Sequence, residues 1–180
     1  MSAASDAIFL IGFPGVGKTT LGRAVSARTG VRFIDLDEAV EAEAGMSVPD
    51  IFRQEGEDAF RRRESAMLRS IVEGGSPIIV GCGGGTPCHC DNMTLMNNAG
   101  TTVWLQASRE RIVSRIVAQP GQRPLLEGCD AIGLDKALRE LEQRRGPFYC
   151  QAAETFDSSR LETEAEIAAT ADAFIKAFLI

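Results

Sequence analysis

The sequence predicts an α/β fold, a three-layer α/β/α sandwich with a parallel sheet of about five strands. Three observations carry that prediction. Short apolar runs alternate with longer amphipathic segments, the pattern of successive β/α units. The first run, Ala7–Ile11, feeds directly into Gly12-Phe-Pro-Gly15-Val16-Gly17-Lys18-Thr19-Thr20, after which Leu21, Ala24 and Val25 recur at helical spacing. A chain of 180 residues with no internal repeat or low-complexity linker reads as one domain, 1–180, with room for a sizeable core.

Taken in order, strands are predicted at Ala7–Ile11, Arg32–Ile34, Pro77–Val80 and Thr101–Leu105, with a weaker fifth near Glu154–Phe156. Helices are predicted at Lys18–Thr29, Val48–Arg53, Asp58–Glu73, Asn92–Asn98, Arg109–Ala118, Leu134–Gln143 and Glu164–Phe178. Ser47, with Asp50 three residues on, marks a helix start. In the last helix Ile167, Ala171, Phe174 and Phe178 form an apolar stripe suited to packing on the sheet. Between Val117 and Leu134 the pattern breaks into Gln119-Pro-Gly-Gln-Arg123-Pro-Leu-Leu-Glu-Gly-Cys-Asp130. A Pro/Gly-rich loop of that length inside a compact domain is usually functional, so a mobile lid is expected at about 118–133.

Hydrophobic and charged contents of 44% and 24% are ordinary for a globular protein. A net charge of −6 argues against non-specific binding to nucleic acid or anionic membrane, and neither partner is expected. Lys18, Lys136 and Lys176 are the lysines, so nearly all positive charge is arginine, the better fork for carboxylate and phosphate. Cys82, Cys88, Cys90, Cys129 and Cys150 form an odd set without a Cys-x-x-Cys pair. Cys88-His89-Cys90 has no second cluster at zinc spacing, so reduced, non-ligand cysteines are expected. The N-terminus lacks a basic segment ahead of its apolar run, and no signal peptide or membrane span is read; a cytoplasmic location is expected.

Gly12 to Thr19 is a P-loop in its strand–loop–helix context, which makes the fold one of the P-loop NTPase type. The glycines let successive N–H groups converge on phosphate oxygens at a helix N-terminus. Lys18 reaches the β- and γ-phosphates, and the Thr19 hydroxyl binds Mg²⁺. Gly12, Gly15, Val16, Gly17, Lys18, Thr19 and Thr20 are therefore the expected nucleotide site.

Four further features bear on a second substrate. Asp35 and Asp37 end the second strand two residues apart, on one face if the strand persists through them. One can hold Mg²⁺ or its water, and the other can accept a hydroxyl proton. Arg61 lies four residues after Glu57 and three before Glu64, so both acids can orient one guanidinium. Gly83-Gly84-Gly85 follows Ile78-Ile79-Val80 and lets a polar ligand approach the backbone. Arg123 puts a cation on the lid, able to close over a transferring phosphate.

With these residues in view the chain resembles the shikimate kinases over nearly its whole length. The resemblance rests on the P-loop, the Asp-x-Asp pair, Phe52…Gly56-Glu57…Phe60-Arg61…Glu64, the triple glycine, Arg123-Pro-Leu-Leu, and Arg145-Gly-Pro147-Phe-Tyr149. It implies ATP-dependent phosphorylation of shikimate to shikimate 3-phosphate, with ATP and Mg²⁺ as cofactors, by a monomer. It also implies that Asp37 binds and deprotonates the reacting hydroxyl, while Asp35 joins Thr19 on the Mg²⁺ side. Arg61, Arg145 and Gly83–Gly85 would hold the carboxylate and ring hydroxyls, and Phe52, Phe60 and Glu64 would line the same pocket. The segment 36–73 would then be the acceptor-binding part. Arg145 is preferred to Arg144 because it stands two residues before Pro147. Arg123 would close onto the phosphates, and Phe156-Asp-Ser-Ser-Arg160 resembles the loop that cups adenine, with Arg160 in contact. Arg115 sits near where the family often carries a base- or phosphate-contacting arginine. The rival readings are a gluconate kinase of the same build and a nucleotide-dependent regulatory NTPase; no Asn-Lys-x-Asp guanine signature is present.

Overall fold

The computed structural model describes residues 7–75, 77–118 and 131–179. Strands β1 (Ala7–Ile11), β2 (Arg32–Asp35), β3 (Ile78–Gly81), β4 (Gly100–Gln106) and β5 (Glu154–Asp157) form one sheet in the order β2-β3-β1-β4-β5. Every pairing is parallel, as expected. β1 lies at the centre and is buried along its whole length, with Phe9, Leu10 and Ile11 wholly inaccessible. A strand covered on both faces reads as an unbroken apolar run rather than an alternation, which is why Ala-Ile-Phe-Leu-Ile was recognisable.

Helices α1 (Lys18–Thr29), α2 (Leu36–Ala44), α3 (Val48–Glu55), α4 (Glu57–Glu73), α5 (Asn92–Ala99), α6 (Arg109–Ala118), α7 (Ala131–Tyr149) and α8 (Glu164–Phe178) flank the sheet. A 3₁₀ turn covers Thr86–Cys88. Helices α2, α3 and α4 gather round a small cluster of their own, Val40, Ile51 and Phe60, apart from the main core. Ser47 caps α3 by accepting from the Asp50 amide, as its spacing predicts. α8 turns its stripe inward: Phe174 meets Phe156 of β5 edge-on at 5.1 Å and Phe178 at 4.7 Å.

Two differences from the sequence reading have clear physical causes. The second strand stops at Asp35, whose carboxylate accepts from the amides of Asp37 and Glu38 and so starts α2. Asp35 and Asp37 are therefore not neighbours on a strand face; the first is a helix cap and the second lies in the first helical turn. Helix α7 begins at Ala131 and runs through Pro147 to Tyr149, well beyond Leu134–Gln143. Proline forfeits one intrahelical bond near the helix end, and complete burial of Tyr149 outweighs that loss. Among the described residues no helix is long and apolar enough to cross a membrane.

Because the sheet is parallel, β1, β2 and β3 all end on one edge. Leu10 pairs with Gly81 and Gly81 with Asp35, so the P-loop, the triple-glycine loop and the α2 cap leave the sheet side by side. This is where an open α/β sheet forms its ligand crevice.

A stability test follows from α8, which opens with a reciprocal capping box between Thr163 and Glu166. Replacing Thr163 by Ala should cost about 1 kcal/mol in urea unfolding, and Thr163→Ser should cost much less. Equal stability of Thr163→Ala and wild type would mean that the box adds nothing to the fold.

Candidate active site

One cleft of about 970 Å³ runs along the C-terminal edge of the strands, from the P-loop to the triple-glycine loop. On the P-loop side Gly17 sits at φ 104°, a conformation that side chains resist, and directs the chain into α1. Lys18 Nζ donates to the Gly12 and Phe13 carbonyls at 2.8 and 3.0 Å, lying back across its own loop. Thr19 Oγ1 donates to Asp35 Oδ2 at 2.7 Å. A hydroxyl and a carboxylate in contact on the cleft wall are a fit pair of hard oxygens for Mg²⁺, which takes its other ligands from water and phosphate. Gly15, Gly17, Lys18, Thr19 and Thr20 line the cleft. Val16 is wholly buried and serves through its backbone, its carbonyl accepting from Ser158 Oγ at 2.7 Å.

The opposite side of the cleft is built on α4 and the glycine loop. Arg61, only 7% exposed, donates to Glu57 Oε1 from Nε and Nη2 and to Glu64 Oε2 from Nη1 at 2.9 Å. Both flanking acids thus orient the guanidinium, as the helical spacing predicts. Phe60 and Phe52 stack at 4.9 Å, and the guanidinium lies 5.1 Å from the Phe60 ring centre. Arg145 reaches the cleft, whereas the Arg144 side chain is exposed beside Glu140.

The three glycines have a common explanation. A Cβ at Gly83 would stand 2.9 Å from Glu64 Oε1 and 3.0 Å from Asp37 Oδ1. One at Gly84 would stand 2.6 Å from Arg145 Nη1, and one at Gly85 only 2.5 Å from Arg61 Nη2. Each glycine is the floor under a different charged side chain. The loop is glycine-rich because four functional groups lie on its backbone.

Asp37 Oδ1 is sealed from solvent and has no hydrogen-bond partner among the described residues. Burial first, then the like charges of Glu64 and Asp35, push its carboxyl up to about 6, against the pull of Lys18 and Arg61. A buried carboxylate short of hydrogen-bond donors, with Lys18 and Arg61 near it, suits a group that takes a hydroxyl proton.

Arg115 of α6 is a cleft residue to which the sequence assigned no definite role. Its guanidinium donates to the carbonyls of Val16 at 3.1 Å and of Ser158 and Ser159 at 3.0 Å, and pairs with Glu162 at 2.8 Å. It ties the P-loop to the segment after β5. Partial burial opposes ionisation of Glu162, yet the Arg115 hydrogen bond and charge hold its carboxyl at about 2. Arg160 does not come to the cleft: its side chain is 77% exposed, 3.9 Å from Glu166, and Leu161 and Glu162 line the wall instead. Arg123 and residues 119–130 of the expected lid lie outside the described residues.

A phosphate-binding loop facing a separate pocket with an aromatic wall, two arginines and a buried carboxylate defines a P-loop phosphotransferase with a small anionic acceptor. The profile of the family described as shikimate kinase matches residues 14–176. A shikimate kinase of Parabacteroides distasonis is 38% identical over 169 residues, covering 94% of this chain and 97% of the relative. A crystal structure of shikimate kinase from Bacteroides thetaiotaomicron superposes with a TM-score of 0.91 at 34% identity, covering 97% and 98% of the two chains. The Acinetobacter baumannii shikimate kinase, solved in complex with shikimate, gives 0.83 at 29%, covering 96% and 92%. A gluconokinase of Sinorhizobium meliloti reaches 0.51 at 20% identity, covering 97% and 93%, which shows a shared fold and nothing more. The chain belongs to the shikimate kinase family. It is an ATP-dependent, Mg²⁺-using kinase of a shikimate hydroxyl, acting in aromatic amino acid biosynthesis.

The raised Asp37 carboxyl makes a checkable statement about stability. A carboxyl whose folded value exceeds its ordinary 3.8 destabilises the fold when ionised, so the penalty is full above pH about 6 and fades as pH falls toward 3.8. In metal-free protein Asp37→Asn should therefore melt above wild type at about pH 8, and the gap should close towards about pH 4. A variant that melts lower at the higher pH would contradict the burial argument.

Proposed function

We propose a division of labour for the transfer of phosphate from ATP to shikimate. The P-loop amides cradle the nucleotide phosphates, and Lys18 exchanges its bonds to Gly12 and Phe13 for phosphate oxygens. Thr19 and Asp35 hold Mg²⁺, which when bound neutralises charge on the phosphates. Asp37 accepts the proton of the attacking hydroxyl. Arg61 and Arg145 grip the shikimate carboxylate above the Gly83–Gly85 loop, Glu64 fixes Arg61, and Phe52 and Phe60 form the apolar wall. Arg123, from the Pro/Gly-rich segment at about 118–133, supplies a further cation to the transferring phosphate. Phosphoryl transfer requires positioning and charge neutralisation more than covalent chemistry, and these groups provide both.

One observation carries the acceptor reading. Two guanidiniums stand over successive glycines of one loop, and the unpaired Oδ1 of Asp37 lies beside the glycine before them. The reading extends to a single catalytic domain with α2–α4 as the acceptor-binding part, working as a cytoplasmic monomer. Its support is that one chain supplies both walls of the cleft.

Truncating one partner of a desolvated charge pair costs about 2–5 kcal/mol. Shikimate methyl ester should accordingly be a worse substrate than the acid by about 30- to 5,000-fold in kcat/KM. Arg61→Ala and Arg145→Ala should each erase most of that discrimination. Equal use of acid and ester by wild type would remove the carboxylate clamp. On the nucleotide side, a folded Lys18→Ala protein should lose about 10²- to 10³-fold in turnover, the scale of one preorganised cation or donor. Near-normal turnover there would overturn the P-loop assignment.

A further inference from the structure

Two buried hydroxyls that the proposed chemistry does not use lie against the glycine loop. Tyr149, the last residue of α7, has no exposed surface, and its hydroxyl donates to the Gly84 carbonyl at 2.5 Å. Arg145 lies over the same glycine, its Nη1 2.6 Å from where a Gly84 Cβ would stand. A phenol has one proton, and the carbonyl takes it. Burial pushes the phenol well above its ordinary value, so the proton stays on at any working pH. The Tyr149 hydroxyl thus fixes the carbonyl of the glycine on which Arg145 lies.

Thr86 makes the matching connection on the other side. Its side chain is fully buried, and Oγ1 donates to Glu64 Oε1 at 2.5 Å while Arg61 takes the other carboxylate oxygen. The Thr86 amide donates to the Gly83 carbonyl at 3.0 Å, and its carbonyl accepts from Asn92 Nδ2 at 3.0 Å. Asn92 Oδ1 in turn accepts from Ser65 of α4 at 2.7 Å. The loop and the helix carrying Arg61 are thereby held in one register by a buried polar chain.

We propose that Tyr149 and Thr86 are positioning residues, whose hydroxyls fix the Gly84 carbonyl of the loop on which Arg145 lies and the Glu64 carboxylate that holds Arg61, and so set the spacing that recognises a carboxylate. This lock rests on the carboxylate-clamp reading above. An arginine side chain is long and loses much rotamer freedom when fixed, so a clamp without such partners would spend substrate binding on ordering it. Here the ordering is done in advance. Tyr149 is well suited to a test because its ring is held independently, edge-on to Phe13 at 4.9 Å and beside Trp104 at 5.8 Å.

The experiment is steady-state kinetics with both substrates varied, acid-over-ester discrimination, and thermal melting, on Tyr149→Phe, Thr86→Val, Thr86→Ser and Arg145→Ala. Tyr149→Phe and Thr86→Val should each raise KM for shikimate by about tenfold and cut the discrimination by a similar factor, the scale of leaving one buried polar group unsatisfied. KM for ATP should stay unchanged, and Thr86→Ser should restore most of the loss. If Thr86→Val does not fold, Tyr149→Phe, which keeps its ring contacts, decides alone. Unchanged KM for shikimate in Tyr149→Phe overturns the lock, as does a rise in both KM values that tracks a fall in melting temperature. Should Arg145→Ala lose discrimination while Tyr149→Phe keeps it, the clamp stands and the lock fails. Should Arg145→Ala keep it, the clamp itself fails and the lock goes with it.

Discussion

Glu64 is a carboxylate with no exposed surface, and much of the acceptor site is arranged around keeping it there. An ion of this kind is costly to remove from water unless each oxygen is matched. Arg61 satisfies one oxygen and Thr86 the other, so the cost is met by one residue a turn before it on α4 and one from the 3₁₀ turn. That solution brings α4 against the glycine loop closely enough that no side chain fits at Gly83 or Gly85. It also places a second negative charge next to Asp37, which raises the affinity of Asp37 for a proton. The same few atoms satisfy the buried ion and raise the Asp37 carboxyl.

The two halves of the cleft solve different problems. The nucleotide half is mostly backbone: positive-φ glycines, a lysine resting on carbonyls, and Arg115 bracing the loop from behind. The acceptor half is mostly side chain, held by helices α2–α4 with a small apolar cluster of their own. The parallel register of β1, β2 and β3 is what sets the halves side by side. Burying Asp37 among like charges weakens the fold above pH about 6, a cost that the proposed role as proton acceptor would explain.

What could be read in the sequence was what is local. The P-loop is contiguous and each residue contributes through its own backbone or side chain, so eight residues in a row carried the expected nucleotide site. Arg61 with Glu57 and Glu64 was legible because helical spacing alone brings them together. Helix α2 was missed because Leu36 and Val40 are its only wholly buried residues, too few to set a period, and its start depends on a cap that also looks like a strand end. Arg115, Tyr149 and Thr86 act through contacts 22 to 100 residues away in the chain, and no spacing announces a partner at that range. Arg160 was singled out from its local position, and its side chain turns to solvent.

The central claim is that the glycine loop exists to let charged side chains lie on its backbone. Gly85 tests it most directly. Its φ of −93° suits any residue, so alanine there is not strained by backbone conformation. Its new Cβ would instead meet the Arg61 guanidinium at 2.5 to 2.9 Å, and that group is tied to both Glu57 and Glu64 and cannot yield cheaply. Calorimetric titration of Gly85→Ala with shikimate and with ADP separates the two halves of the cleft. Shikimate affinity should fall by about tenfold or more, the scale of a displaced charged partner, with ADP affinity unchanged. Undiminished shikimate binding by a folded Gly85→Ala protein would contradict the claim.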